Sequence, residues 1–527
     1  MKLLFSLLLF AVTFFAFSQH DPAKTDEKFR TALQFMRFRY VDSVDENHLT
    51  EVAIRKMLEE LDPHSVYLSA EEIKQANEPL EGNFDGVGIQ FQIIRDTINV
   101  VDVIAGGPSE MVGIRAGDKI VSIDKQIATG KDVNNSFVLK HLRGPKGTQV
   151  VIAVARQGEP KPIEFSVTRD KIPIYSIDAA YMITPEIGYI KLNKFAAKTM
   201  NEFAEAIKEL KKNDFKSLIL DLRDNSGGYL QTSIELADQF LPKDQLIVYT
   251  EGRSDKRVDY KATSRGAFEK GKLVILIDEG SASASEIVSG AMQDCDRALV
   301  IGRRSYGKGL VQRPFAFTDG SVMRLTVARY YTPSGRCIQK SYEGGNDKYF
   351  DDLGERMKHG ELVHPDSIKF PDSLRYKTKA GRIVYGGGGV MPDVFIPFDT
   401  TKYSDYYVKL IRKNYFSTFT LDFLNANRTE MLSEYKTVEK FKEKYKISEK
   451  FMKSFLDGAA AAGVEFDQSG FDQSKTIIET LLRAFIARSL YGSEAYYLII
   501  GEIDDELQKA IECIQNPGMF EKYSIGY

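Results

Sequence analysis

Ser281, Ser283 and Ser285 alternate with alanines and run into Glu286, between an apolar stretch at residues 273–277 and a helical pattern at residues 283–293. A serine at the start of a helix has its hydroxyl beside backbone N–H groups that can hold a developing oxyanion. The same residues also spell the S-x-x-E capping box, in which Ser283 merely satisfies the first N–H groups of the helix. Both readings fall on one residue. Further on, Gly302-Arg303-Arg304-Ser305-Tyr306-Gly307-Lys308-Gly309 nearly spells a phosphate-binding loop, but Gly309 stands where such a loop needs Ser or Thr for Mg²⁺. No nucleotide site follows. Lys308, set between glycines, can instead bring its amine against packed backbone, where a desolvated lysine loses its charge and becomes a base. A base near neutral pH needs that amine to fall from about 10.4 to about 7, which costs about 4 kcal/mol. A solvated loop lysine is the alternative. A third segment, Asp221-Leu222-Arg223-Asp224-Asn225-Ser226-Gly227-Gly228, ends an apolar strand with a glycine pair suited to a tight turn and close backbone approach.

The elements that must position these segments alternate. Strand-like runs at 188–192, 218–222, 273–277 and 298–301 are interleaved with helical patterns at 199–212, 231–240 and 283–293. Such alternation predicts an α/β domain with a largely parallel sheet, whose ligands belong at the strand C-terminal ends, where the serine and lysine segments lie. Before it, residues 84–169 carry short β-type runs at 88–91, 98–103, 119–123 and 148–154. These are punctuated by Gly-Gly-Pro and Gly-Pro-Lys-Gly and broken by one helical pattern at 131–142. Residues 26–77 read as helical up to the stop at Asp62-Pro63, and beyond 399 the chain is helical, aromatic and charged, with no readable chemistry.

At 527 residues the chain allows about three or four domains on a scale of about 150 residues each. Hydrophobic residues at 43% and charged residues at 28% exclude a disordered or multi-spanning membrane protein. A net charge of −3 provides no field for nucleic acid. Three scattered cysteines and six histidines without an HExxH pair leave no disulfide framework and no metal cluster to propose. Lys2, the apolar run 3–17 and Ala16-Phe17-Ser18 read as a secretory signal peptide over residues 1–18, with an uncleaved anchor as the alternative. The expected location is therefore outside the cytoplasm, periplasmic or secreted.

Together the three segments, in this order, resemble the carboxyl-terminal processing (tail-specific) proteases of the S41 serine peptidase family. Leu61-Asp62-Pro63-His64-Ser65, Tyr331-Thr332-Pro333-Ser334-Gly335-Arg336 and residues 386–393 extend the likeness over residues 41–397. The resemblance implies Ser283 as nucleophile, Lys308 as general base and Gln312 as the residue that orients the lysine. It also implies an oxyanion hole from the backbone amides of Ala284 and of Gly227 or Gly228. Asp294, matched to an acid of some members, lies about 16 Å along the helix from Ser283 and is read as structural. Arg303-Arg304-Ser305-Tyr306 and Cys295 depart from the usual text of the family. The β-module resembles a PDZ domain, with Gly86-Val87-Gly88-Ile89 as the loop that receives a terminal carboxylate and Val87, Ile89, Val138, Leu139 and Leu142 lining the side-chain pocket. Core packing is the alternative for each of these apolar residues.

The implied fold is multidomain α/β. It has a signal peptide (1–18), an N-terminal helical region (19–82), a PDZ module (83–170), a crotonase/ClpP-like S41 core (171–398) and a C-terminal helical segment (399–527). The implied function is that of an exported serine endopeptidase needing no cofactor or metal, acting on proteins or peptides with free, apolar C-termini and binding neither nucleic acid nor nucleotide. A homo-oligomer or an adaptor stays open as partner. A catalytically silent tail-binding adaptor and a crotonase-like acyl-CoA enzyme are the alternatives.

Overall fold

The computed structural model describes residues 21–104 and 106–527; the leader expected at residues 1–18 lies outside them. Helices Pro22–Arg39, Glu46–Glu59 and Ala70–Glu81 open the described chain. The helical run expected to continue to residue 77 is broken by a strand, Val66–Leu68, which pairs with Val322–Arg324. Asp62 causes the break. Its carboxylate accepts the N–H groups of His64 (2.8 Å) and Ser65 (2.9 Å) and the hydroxyls of Ser65 (2.5 Å) and Thr326 (3.0 Å), which ends the helix and turns the chain towards the core.

The chain enters and leaves the β-module through one antiparallel pair, Asn83–Gly86 with Asp170–Pro173. Within the module the strands run in the order Ile89–Ile94, Thr97–Val103, Lys119–Ile123, Gln149–Ala155, Ile163–Thr168, so Ile89–Ile94 is an edge. The helix expected at 131–142 begins only at Asn135, because Asn134 caps it, its side-chain oxygen accepting the Phe137 N–H at 2.9 Å.

The core sheet has the order Ile177–Thr184, Ile187–Leu192, Ser217–Asp221, Lys272–Ile277, Leu299–Gly302, Val394–Phe395. Its first pair is antiparallel and the rest are parallel. Both faces are buried, which is why these strands read as unbroken apolar runs. Leu218, Leu220, Leu273, Ile275 and Ile277 face helices Thr199–Lys211, Leu230–Asp238 and Ala284–Asp294. Ile219, Val274, Leu276, Leu299 and Ile301 face the last two helices, Asp505–Gln515 and Pro517–Lys522. The segment after residue 399 is therefore not one unit. Residues 406–499 form an aromatic helical core of their own, whereas Leu507, Ala510, Cys513, Ile514 and Phe520 return to cover the core sheet.

Candidate active site

Every parallel strand of the core points its C-terminal end at one region, and each chemically suggestive segment begins there. Asp221 closes the strand Ser217–Asp221, and the turn behind it is wired by its own side chains. Asn225 Oδ1 accepts the Gly227 N–H (2.9 Å), Asn225 Nδ2 donates to the Leu192 carbonyl (2.9 Å), and the Asp224 N–H donates to Asp278 (2.9 Å). Gly227 has φ +103°, and a Cβ there would lie 2.9 Å from Ser283 Cβ and 3.0 Å from the Ala284 nitrogen. Only glycine permits both the conformation and the contact.

The three serines of the run separate by what their hydroxyls do. Ser281 and Ser285 are fully buried and donate to the carbonyls of Leu222 (2.8 Å) and Asn225 (2.7 Å), stapling the glycine turn to the helix start. Ser283 is half-buried and occupies φ +53°, ψ −109° at the N-cap of Ala284–Asp294, a conformation that costs a non-glycine residue about 1–3 kcal/mol. It also closes the capping box, its N–H donating to Glu286 Oε2 at 2.8 Å. The bland reading of Ser283 is thus present, and it does not compete with the chemical one.

Lys308 is largely buried, and its amine makes no hydrogen bond or ion pair among the described residues. Burial pushes the ammonium below its usual range, against the opposing pull of Glu286 and Asp62. Two bridges tie its backbone to that of Ser283. Glu286 Oε2 accepts the N–H groups of Ser283 (2.8 Å) and Lys308 (2.9 Å), while the Tyr330 hydroxyl reaches the carbonyls of both residues, 3.1 Å from that of Ser283. Glu286 Oε1 takes the Ser305 hydroxyl (2.5 Å) and the Gly307 N–H (2.7 Å). No hydrogen bond joins Ser283 Oγ to Lys308 Nζ in this structure.

Two expectations need correcting. Gln312 does not reach Lys308: its amide donates to Thr326 Oγ1 at 3.3 Å, on the strand beside it, next to a register shift at Val311/Gln312. Gly227 is also ruled out as an oxyanion donor, because Asn225 already holds its N–H. The Gly228 and Ala284 N–H groups have no acceptor among the described residues. Asp294 is structural as expected, pairing with Arg336 at 2.8 Å, both side chains wholly buried, and accepting the Ser334 N–H and hydroxyl. His64, from the turn at Asp62, contacts the Tyr349 hydroxyl at 2.7 Å. Burial, then the positive charge of Lys308, push its imidazolium down to about 4, so it is neutral.

In the β-module, a cavity of about 290 Å³ is lined by Gly86, Val87, Gly88, Ile89, Val138, Leu139 and Leu142, the residues expected to bind a tail, joined by Phe84, Gln90, Phe91 and Arg143. The Val87 and Gly88 N–H groups donate to no acceptor among the described residues. Ile89–Ile94 presents its outer edge beside them.

Residues 186–345 match the model of peptidase family S41, residues 86–167 that of the PDZ domain, residues 16–72 that of the activating protease CtpB N-terminal domain, and residues 406–492 a family of unknown function. The carboxy-terminal-processing protease of Bartonella bacilliformis is 37% identical over 339 residues, 63% of this chain and 77% of that protein. The carboxy-terminal processing protease CtpB of Bacillus subtilis is 35% identical over 328 residues, 61% of this chain and 67% of that one. A solved photosystem II D1 C-terminal processing protease shares 26% identity with a TM-score of 0.37, covering 70% of this chain and 86% of the other. Fold and site define a multidomain α/β peptidase with a PDZ module. The chain belongs to the carboxy-terminal-processing proteases of peptidase family S41.

Proposed function

We propose that this chain is an exported serine endopeptidase that holds a protein by its free C-terminal tail in the PDZ groove and cleaves it through an acyl-enzyme on Ser283. The observation that carries the reading is the pairing of a strained, half-buried helix-start serine with a buried lysine whose amine makes no ion pair among the described residues, their backbones tied by Glu286 and Tyr330. Neutral Lys308 takes the Ser283 proton as Oγ bonds to the scissile carbonyl carbon. The carbonyl oxygen becomes an oxyanion facing the N–H groups of Ala284 and Gly228. As the oxyanion collapses, the C–N bond breaks and Lys308 gives its proton to the leaving amine. Water, deprotonated by Lys308, then attacks the ester, and the proton returns to Oγ as the N-terminal fragment leaves with its new carboxyl group, the tail-side fragment having left as the amine.

The test is peptide cleavage and covalent labelling by a fluorophosphonate in wild type, Ser283→Ala, Ser281→Ala and Lys308→Ala. Ser283→Ala should lose both signals. Lys308→Ala should be as inactive in cleavage, because nucleophile and base act as a unit. Turnover retained in Ser283→Ala would sink the assignment, and a folded wild type that neither cleaves nor labels would favour the silent adaptor. Export rests on residues 1–18 alone; a mature N-terminus near residue 19 in an extracytoplasmic fraction is the expected result.

A further inference from the structure

The glycine turn and the lysine loop are each braced by an arginine, and both arginines are held by carboxylates from the far C-terminal part of the chain. Arg223, in the glycine turn, spends all its N–H groups. Nε donates to Asp221 Oδ1 (3.0 Å), Nη2 to Asp221 Oδ2 (2.6 Å) and Asp504 Oδ2 (2.7 Å), and Nη1 to Asp504 Oδ1 (2.8 Å) and Glu506 Oε2 (3.1 Å). Arg303, five residues before Lys308, donates through Nε to Glu279 Oε2 (2.8 Å) and through Nη1 to Glu506 Oε1. Glu506 therefore has one oxygen on each loop.

These carboxylates cannot swing freely. Asp504 is the N-cap of the helix Asp505–Gln515 and accepts the Leu507 N–H at 3.0 Å, while Leu507, Ala510 and Ile514 seat that helix on the catalytic sheet. The arginines and Glu506 are mostly shielded from water, with side-chain exposure of 14% for Arg223, 8% for Arg303 and 14% for Glu506. A buried ion cluster is by itself weak evidence for stability, since packed apolar side chains serve as well. What distinguishes this one is its reach to both loops.

Resting on the assignment of Ser283 and Lys308, we infer that Glu506, supported by Asp504, is a positioning residue for peptide-bond cleavage. It fixes the turn that presents the Gly228 N–H relative to the loop that presents the Lys308 amine. Misplacing reacting groups by about 1 Å costs about 100-fold in rate. Each loop is also tied to the serine run between them, the turn through Ser281 and Ser285 and the lysine loop through Glu286, and the carboxylate shared by the two arginines braces their spacing from the opposite side.

The experiment compares Glu506→Gln with Leu507→Ala and Ser283→Ala in the full chain, measuring steady-state cleavage, the rate of fluorophosphonate labelling and thermal melting. Glu506→Gln keeps the shape and loses the charge. Leu507→Ala loosens the same helix without touching either arginine. Glu506→Gln should lower kcat at least tenfold with KM within twofold, and slow labelling in proportion. Leu507→Ala should lower Tm at least as much, yet keep kcat within twofold at temperatures below melting. The inference is overturned if Glu506→Gln keeps kcat within twofold while Ser283→Ala is inactive, or if Leu507→Ala loses kcat as Glu506→Gln does. Turnover in Ser283→Ala would instead remove the assignment on which it rests.

Discussion

Glu286 is fully buried and collects four donors, from Ser283, Ser305, Gly307 and Lys308. Those donors favour the anion, but burial outweighs them and pushes the carboxyl up to about 7. A carboxyl raised on folding contributes stability that is fully present below its unfolded value near 4.5 and is lost as pH rises through about 7. His64, pushed down to about 4, works the other way, its contribution growing as pH rises from 4 to 6.5. Comparing wild type with Glu286→Gln isolates the first effect. The variant loses acceptor capacity for its donors, so its Tm should fall, with a smaller deficit at pH 8 than at pH 5. Lys308 carries a related cost. Its lowered value means that folding opposes the charged amine at neutral pH, and the opposition is relieved as pH rises towards 10.5. Lys308→Met should therefore be inactive and yet melt at a higher temperature at pH 7, as expected if the proposed base is held against its preference. An unchanged or lower Tm would count against a strained lysine. For wild type, kcat/KM should rise with pH along a limb whose midpoint lies below 10.5.

At the scale of elements, the glycine turn is the part with least tolerance. Gly227→Ala would place a Cβ 2.9 Å from the Ala282 carbonyl and Ser283 Cβ at φ +103°, and moving either shifts Ser283, the proposed nucleophile. A loss of about 100-fold in kcat is expected. Gly130→Ala is the control, with φ +109° and open space, and should cost only about 1 kcal/mol of stability. Equal activity of the two variants would mean that the turn does not set the serine. The turn itself was readable in advance from its local pattern, an apolar strand followed by Asn-Ser-Gly-Gly, whereas the partners that hold it, Leu192, Asp278, Ser281 and Ser285, were not. The parallel strands were readable for the same reason, each being apolar on both faces. The strand Val322–Tyr331 was not read, although it carries Tyr330. Its burial follows no period of two; one edge pairs with Leu310–Ala316 along most of its length, and the other is covered only at its two ends, by Val66–Leu68 and by Leu246–Glu251. Glu286 stood in the sequence as a capping residue, and nothing local revealed that Ser305 and Gly307 would converge on it.

Across the whole molecule, what the sequence withheld is what joins distant segments. Arg223 and Asp504 are 281 residues apart, His64 and Tyr349 are 285 apart, and no periodicity reports such pairs. The PDZ module is fixed in the same way. Its neck is the pair Asn83–Gly86 with Asp170–Pro173, and its edge strand is held on one face by the C-terminal helices, through Ser417 to Gln92 (2.9 Å) and Arg488 to Gln90 (3.3 Å). Ile89, Gln90 and Phe91 all line the groove. The unpaired edge of Ile89–Ile94 is therefore free to take an added strand, with the Val87 and Gly88 N–H groups at its start ready for a carboxylate. A substrate held there by its tail should be cleaved more efficiently as the free acid than as the C-terminal amide, because amidation removes the charge those N–H groups receive. At substrate concentrations below KM, kcat/KM should fall at least fivefold on amidation of a peptide ending in apolar residues. Leu142→Asp, which places a carboxylate in the apolar pocket, should remove most of that difference without lowering Ser283 labelling, provided its melting curve shows a folded chain. Equal cleavage of free-acid and amidated peptides by wild type would leave the groove without a part in substrate capture.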